Sequence, residues 1–157
     1  ATDPNAALTM SADDSTAKLY SSDTGLLLAQ SLGDSSYAES ELYHAVYSGD
    51  LGINEGMVME NAVAQAFVAN GRKLFFYSRY DLENAADRME IDFLIRRGNA
   101  LCPVEVKGGR KWAKHSSLDK FRAKFGDRLG ESFILYTKDL QVKDGIVHLP
   151  IYMAMFL

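Results

Sequence analysis

The run "MEIDFLIRRGNALCPVEVKGG", residues 89 to 109, constrains the fold of this chain more than any other stretch. Two short β-like segments flank Gly98 and Asn99, a pair suited to a two-residue hairpin because Gly accepts positive φ. With that loop, opposed residues have numbers summing to 197: Ile95 with Cys102, Phe93 with Val104, Ile91 with Val106. All six are apolar and predict a core face. The other face pairs Leu94 with Pro103, Asp92 with Glu105, and Glu90 with Lys107. A slip of one residue would mix the two faces, so the pattern itself specifies the register.

That register opposes two carboxylates. Directly opposed Cβ atoms lie about 4.5–5.5 Å apart, and like charges there are destabilising. At ~5 Å and an effective dielectric of about 20 the repulsion is about 3 kcal/mol. A retained proton, a bridging Lys107 or a divalent cation would each offset it. A solvated surface pair, screened by Arg96 and Lys107, is the alternative. Glu60 adds a third acid. It falls in "NEGMVMENAVAQAFVANG", a predicted helix ending at Gly71, beside the apolar stripe Met59, Val63, Ala66 and Phe67. Acids seldom face a core unless paired or metal-bound; the other reading is a charge near a helix N-terminus. Together, Glu60, Asp92 and Glu105 predict one oxygen-rich pocket for Mg2+ or Mn2+.

The remaining elements follow from periodicity and punctuation. Residues 1–17 read as a polar lead-in, and 18–157 as a single domain with N-terminal helices over 23–50, a core over 54–149 and a tail over 150–157. Asp23 caps a helix that stops at Gly33; the triplet Asp23-Thr24-Gly25 precedes a Leu-rich helical run, not the strand loop of an aspartic protease. Ser36 and Glu39 have capping-box spacing for a second helix, with Leu42, Ala45 and Val46 at helical intervals before Gly49. The period then changes from about 3.6 to 2. Strands are expected in "KLFFYSRY", "EIDFLIR", "LCPVEVK", "ESFILY" and "GIVHLP". Between the third and fourth, Ser116 or Ser117 caps a helix with Leu118, Phe121 and Phe125 on one stripe, closed by Gly126. The tail "IYMAMFL" is a strand or short helix, with Met153 and Met155 packed. The fold class is α/β, a mixed sheet with helices packed on it.

Composition narrows the function. A chain of 157 residues suffices for one domain. No apolar run is long enough to span a membrane and no signal segment opens the chain, so a cytoplasmic location is expected. The absence of an initiator Met suits a piece of something longer. Cys102 stands alone, which excludes an internal disulfide and a cysteine-rich zinc site; His44, His115 and His148 lack ligand spacing.

The net charge of −4 conceals an asymmetry. Up to Gly71 the sole Lys or Arg is Lys18, against ten acids. From Lys107 to Arg128 there are eight Lys or Arg against Asp119 and Asp127. Lys120, Lys124 and Arg128 share a helical stripe; Arg110, Lys111 and Lys114 precede it, with Trp112 able to stack on a base. Lys73, Arg79, Arg96 and Arg97 could extend the patch. Such a surface fits sequence-independent, salt-sensitive phosphate contact; a solvated helix face is the alternative.

A helix Glu, then "EID", then "EVK" resembles the PD-(D/E)XK nuclease superfamily, with Ile91 standing where the strict Pro would precede Asp92. The ordered set "KLYSSDTGLL", "PVEVKGG", "SSLDKF" and "LPIYMAMFL" resembles, more narrowly, the nuclease-like C-terminal domain of many prokaryotic AAA+ ATPases. The resemblance implies a restriction-endonuclease-like core and a divalent-metal-dependent phosphodiesterase acting on nucleic acid, with DNA the expected target. Asp92 and Glu105 would hold the metal with the Val106 carbonyl, and Glu60 would be an additional or water-mediated ligand. Lys107 would orient the attacking water or offset developing charge; its alternative is a salt bridge to Glu90. An AAA+ ATPase domain on the N-terminal side is the implied partner. No G-x-x-x-x-G-K-[ST] occurs here, so no ATP site of that kind is expected. A non-catalytic nucleic-acid-binding or protein-interaction domain is the rival, and homo-oligomerisation is left open.

Overall fold

The computed structural model describes residues 8–13, 15–32, 44, 55–79, 88–108 and 114–157. Apart from His44, the predicted helix from Ser36 to Gly49 lies outside them, as do Gly33, Arg110, Lys111 and Trp112. Helix α1 spans Thr24–Leu32. The Asp23 carboxylate accepts the Leu26 N–H at 2.9 Å, the expected N-cap bond. Helix α2, Glu55–Ala69, buries Val63, Ala64 and Phe67. Strands β1 (Tyr77–Arg79) and β2 (Met89–Ile91) form an antiparallel pair. Then come β3 (Phe93–Arg97), β4 (Ala100–Val106), helix α3 (Ser116–Phe125), β5 (Ser132–Tyr136), β6 (Gln141–Lys143) and β7 (Ile146–Pro150). A 3-10 turn over Ile151–Phe156 closes the chain.

The result is a mixed α/β fold around a five-stranded sheet of order β3-β4-β5-β7-β6. β4, β5 and β7 run parallel, and the outer pairs β3/β4 and β6/β7 are antiparallel. The parallel step from β4 to β5 needs a crossover, which α3 supplies. Both sheet faces are covered. On one, α2 residues Val63 and Phe67 pack with Phe93, Val104, Val106 and Leu135. On the other, Leu118 and Phe121 of α3 pack with Tyr77, Ile91, Leu94 and Ile134. Each such buried side chain contributes about 1.5–3 kcal/mol. No described helix is long and apolar enough to cross a membrane.

The hairpin register holds where the strands pair: Phe93 with Val104, Leu94 with Pro103, Ile95 with Cys102. Gly98 takes φ 62° in the loop. The ladder ends there, however. Asp92 is a bend, and β2 leaves β3 to pair with β1, placing Ile91 opposite Tyr77. The expected pairs Asp92–Glu105, Glu90–Lys107 and Ile91–Val106 therefore do not form. The bend also reverses side-chain parity, so Ile91 and Leu94 share one cluster although three residues apart. Leu94 is buried, so the second hairpin face is core rather than solvated.

Three smaller expectations also change. α3 begins at Ser116 with His115 as N-cap and no side-chain cap bond; the His115 ring instead contacts the Asp119 carboxylate at 3.0 Å. The β6–β7 hairpin escaped prediction because its first strand is short and largely exposed. Asp144 and Gly145, at φ 53° and 70°, form its turn. In the tail, Met153 packs against the core but the Met155 side chain is exposed.

Candidate functional site

The site gathers where β3 begins and β4 ends, at the sheet edge nearest α2. The Val106 N–H donates to Asp92 Oδ2 at 2.8 Å. The bend thus brings Asp92 beside the end of β4. Gly108, just beyond, passes so close to the first turn of α2 that a Cβ there would lie 3.3 Å from the Gly56 nitrogen. That approach sets Glu60, one turn further along α2, near the same edge.

The Lys18 ammonium lies among three carboxylates. It is 2.7 Å from Glu90 Oε1, 2.9 Å from Glu60 Oε1 and 3.5 Å from Asp92 Oδ1. The Tyr20 hydroxyl donates to the same Glu60 oxygen at 2.8 Å. Burial disfavours the Lys18 charge, but hydrogen bonds to Glu90 and Glu60 outweigh it and hold its pKa above the ordinary lysine value. Burial and then the charge of Glu60 raise the Asp92 carboxyl above its usual range, against the Val106 hydrogen bond and Lys18. Tyr20 is raised as well, by burial first and then its bond to Glu60.

Glu105 forms a second, adjacent pair with Lys107. Its side chain is buried, and Oε1 has no hydrogen-bond partner among the described residues. Burial, then the charge of Asp92, pushes its carboxyl up to about 7 despite Lys107. Alternation along β4 puts Glu105 on the side of Leu101, toward the α3 layer, while Val104 and Val106 face α2. Asp92 is the acid common to both groups: it shares Lys18 with Glu60 and its charge reaches Glu105. Among the described residues, no three or more His, Cys, Asp or Glu stand as a set able to hold a metal ion. Glu60, Asp92 and Glu105 are thus neighbours linked by two lysines rather than one cage.

Two buried or half-buried polar residues of α2 hold the N-terminal segment in register. Asn61 accepts the Ser21 N–H at 2.7 Å and donates to the Ser21 carbonyl at 3.2 Å and to Thr24 Oγ1 at 2.8 Å. Gln65 accepts the Thr24 N–H at 3.1 Å and donates to the Ser22 carbonyl. The Tyr20 ring stacks on Phe93 at 5.7 Å between centroids. Sequence reasoning assigned none of these roles to Lys18, Tyr20, Glu90, Asn61 or Gln65. The available signal was the solitary cation among ten acids and the polar run Glu60, Asn61, Gln65 beside the apolar stripe of α2.

The basic residues of the α3 segment and those of the β3–β4 hairpin tip lie in different regions. α3 packs on β2 through Leu118 and Phe121, so its basic stripe runs beside the strand that carries Glu90. Lys120 donates to the Arg88 carbonyl at 3.3 Å, and the Lys124 ammonium sits 5.2 Å from the Phe125 ring centre. Lys114 and Arg128 are exposed at the two ends of this segment. Arg96 and Arg97 instead lie at the hairpin tip, about 15 Å from Asp92 by strand rise, where Arg97 pairs with Glu131 at 2.6 Å.

The fold and site together define a mixed α/β domain with a half-buried cluster of acids and lysines at a sheet edge. The chain belongs to the DUF4143 family, described as a domain of unknown function, whose model matches residues 55–154. The match includes Glu60, Asp92, Glu105 and Lys107 and begins after Lys18. No curated protein matches the chain, and no solved structure does.

Proposed function

We propose that this chain is a divalent-metal-dependent phosphodiester hydrolase domain with a restriction-endonuclease-like core, acting on nucleic acid and preferentially on DNA. The observation that carries the reading is Glu105: a buried carboxylate with one oxygen unpartnered among the described residues, next to Asp92 and Lys107. Buried acids without full partnering are costly and call for a cation. Asp92, Glu105 and the Val106 carbonyl are oxygen donors of the kind Mg2+ or Mn2+ prefers. Glu60 is an additional or water-mediated donor. Such an ion, when bound, acidifies a water and offsets charge on the phosphoryl oxygens. Lys107 then orients the attacking water or stabilises the developing charge. Arg110, Lys111, Lys114, Lys120, Lys124 and Arg128 hold the phosphate backbone. In the full-length protein an AAA+ ATPase domain on the N-terminal side governs access.

One observation favours a second reading. Lys18 and Lys107 already neutralise much of the acidic cluster, as expected of a domain that keeps the nucleic-acid-binding or protein-docking surface but does not cut. Titration with Mn2+, followed by incubation with labelled single-stranded, duplex and branched DNA, separates the two. Cleavage that needs Mn2+ and disappears in Asp92→Asn supports hydrolysis. DNA binding without cleavage at saturating Mn2+ supports the second reading, and no binding to any DNA removes both nucleic-acid roles.

A further inference from the structure

We infer that the segment over residues 15–23 is an intrasteric plug: the Lys18 ammonium occupies the cation position of the acidic cluster, and a divalent ion enters only when Lys18 leaves. This inference rests on the metal-dependent reading above and concerns how that site is regulated.

The geometry is specific. A single ammonium is within 3.5 Å of carboxylate oxygens from α2, β2 and the bend between β2 and β3. Its oxygens on Glu60 and Asp92 are those a metal would need, and two cations cannot share them without strong repulsion. Lys18 and Lys107 together bring two positive charges to the four carboxyl groups of Glu60, Glu90, Asp92 and Glu105, so the cluster retains an attraction for a doubly charged ion. Glu105 Oε1, without a partner among the described residues, marks the adjoining place where that attraction is unmet.

The plug is held on both sides. Tyr20 binds Glu60 and stacks on Phe93, while Asn61 clamps Ser21 from α2. Lys18 and Tyr20 also form the wall shared by two clefts of about 250 and 290 Å3. One contains Asp92 and Phe93; the other contains Glu60 and Glu90. Withdrawal of Lys18 joins them into one opening onto the carboxylates. The segment has no helix or strand of its own, so its release breaks side-chain contacts, the Tyr20–Phe93 stack among them, but no backbone ladder of the sheet.

Calorimetric Mn2+ binding to the whole chain, Lys18→Met and Lys18→Arg tests this, together with amine acylation of Lys18 in the wild-type chain. The plug predicts that Lys18→Met binds Mn2+ at least tenfold tighter than wild type and that Lys18→Arg does not. It also predicts that Lys18, protected from acylation without metal, reacts at saturating Mn2+. Equal Mn2+ affinity in all three chains, or protection of Lys18 that persists at saturation, overturns the plug and leaves metal binding standing. Absence of Mn2+ binding in all three overturns the plug and the metal-dependent reading together. Should Lys18→Met fail to fold, the acylation result on the wild-type chain decides.

Discussion

The Val106 amide donates to Asp92 Oδ2 at 2.8 Å just beyond Phe93 and Val104, the pair at which the β3–β4 ladder stops. The carboxylate replaces the carbonyl that a continuing strand would have offered. Asp92 therefore has two separable roles, as an acceptor that ends the ladder and as a charge in the site.

Substitutions at Asp92 should divide those roles. Asp92→Asn keeps an oxygen for the Val106 N–H and removes a largely buried charge raised against Glu60. Its stability should equal or exceed wild type, within about 1 kcal/mol, while Mn2+ binding falls at least tenfold. Asp92→Ala leaves that amide unpartnered and should cost about 1–3 kcal/mol. Urea denaturation of both variants checks this; equal losses would show that the acceptor role is absent.

Glu105 should give the metal-free protein a distinctive pH profile. Its folded pKa is about 7, raised by burial and then by Asp92, against about 4.3 when unfolded. The folded state holds the proton more tightly, so this group destabilises the fold progressively as pH rises between those values. The full benefit is present below the unfolded value and is gone above about pH 7. The decline is on the order of 3–4 kcal/mol. In chelator-treated samples, Glu105→Gln should flatten the fall in denaturation midpoint between pH 5 and 7. An unchanged slope would refute the assignment to Glu105.

How far these features were legible in the sequence depends on the range of the interaction. Gly98-Asn99 sets a local register, and Asp23 caps the turn that follows it; both were readable because cause and effect lie within a few residues. The bend at Asp92 was not. Both faces of β3 are buried, so Ile91, Phe93, Leu94 and Ile95 are all apolar and alternation cannot locate a reversal of parity. Nor could any spacing rule join Lys18 to partners 42 and 74 residues away. The charge asymmetry flagged Lys18 as unusual, but only the packing of α2 and the Asp92 bend supplied its partners.

Asn61 should prove to be the principal anchor of the N-terminal segment. Its buried amide satisfies the Ser21 N–H and carbonyl and the Thr24 hydroxyl at once. Asn61→Leu removes all three bonds and leaves the Ser21 backbone without them. A loss of about 2–3 kcal/mol is expected, with faster amide exchange concentrated over residues 18–24 and the β4–β5 core unaffected. Hydrogen exchange read by mass spectrometry distinguishes this local release from general destabilisation.

Charge reversal on α3 tests the nucleic-acid half of the proposal with little risk to the fold. The buried contacts of α3 come from Leu118 and Phe121, whereas Lys120 and Lys124 present their ammonium groups along its basic stripe. Lys120→Glu with Lys124→Glu forfeits the Lys120 bond to the Arg88 carbonyl and should cost no more than about 1.5 kcal/mol. Phosphate contact by lysine is independent of base identity, so affinity should fall for every DNA sequence alike. Each lost contact removes about 0.9 from the slope of log affinity against log salt on duplex, so the double variant should be shallower by roughly two. Fluorescence anisotropy at several salt concentrations measures both quantities. Unaltered affinity with an unaltered slope would place any DNA contact elsewhere on the domain and remove α3 from the interface.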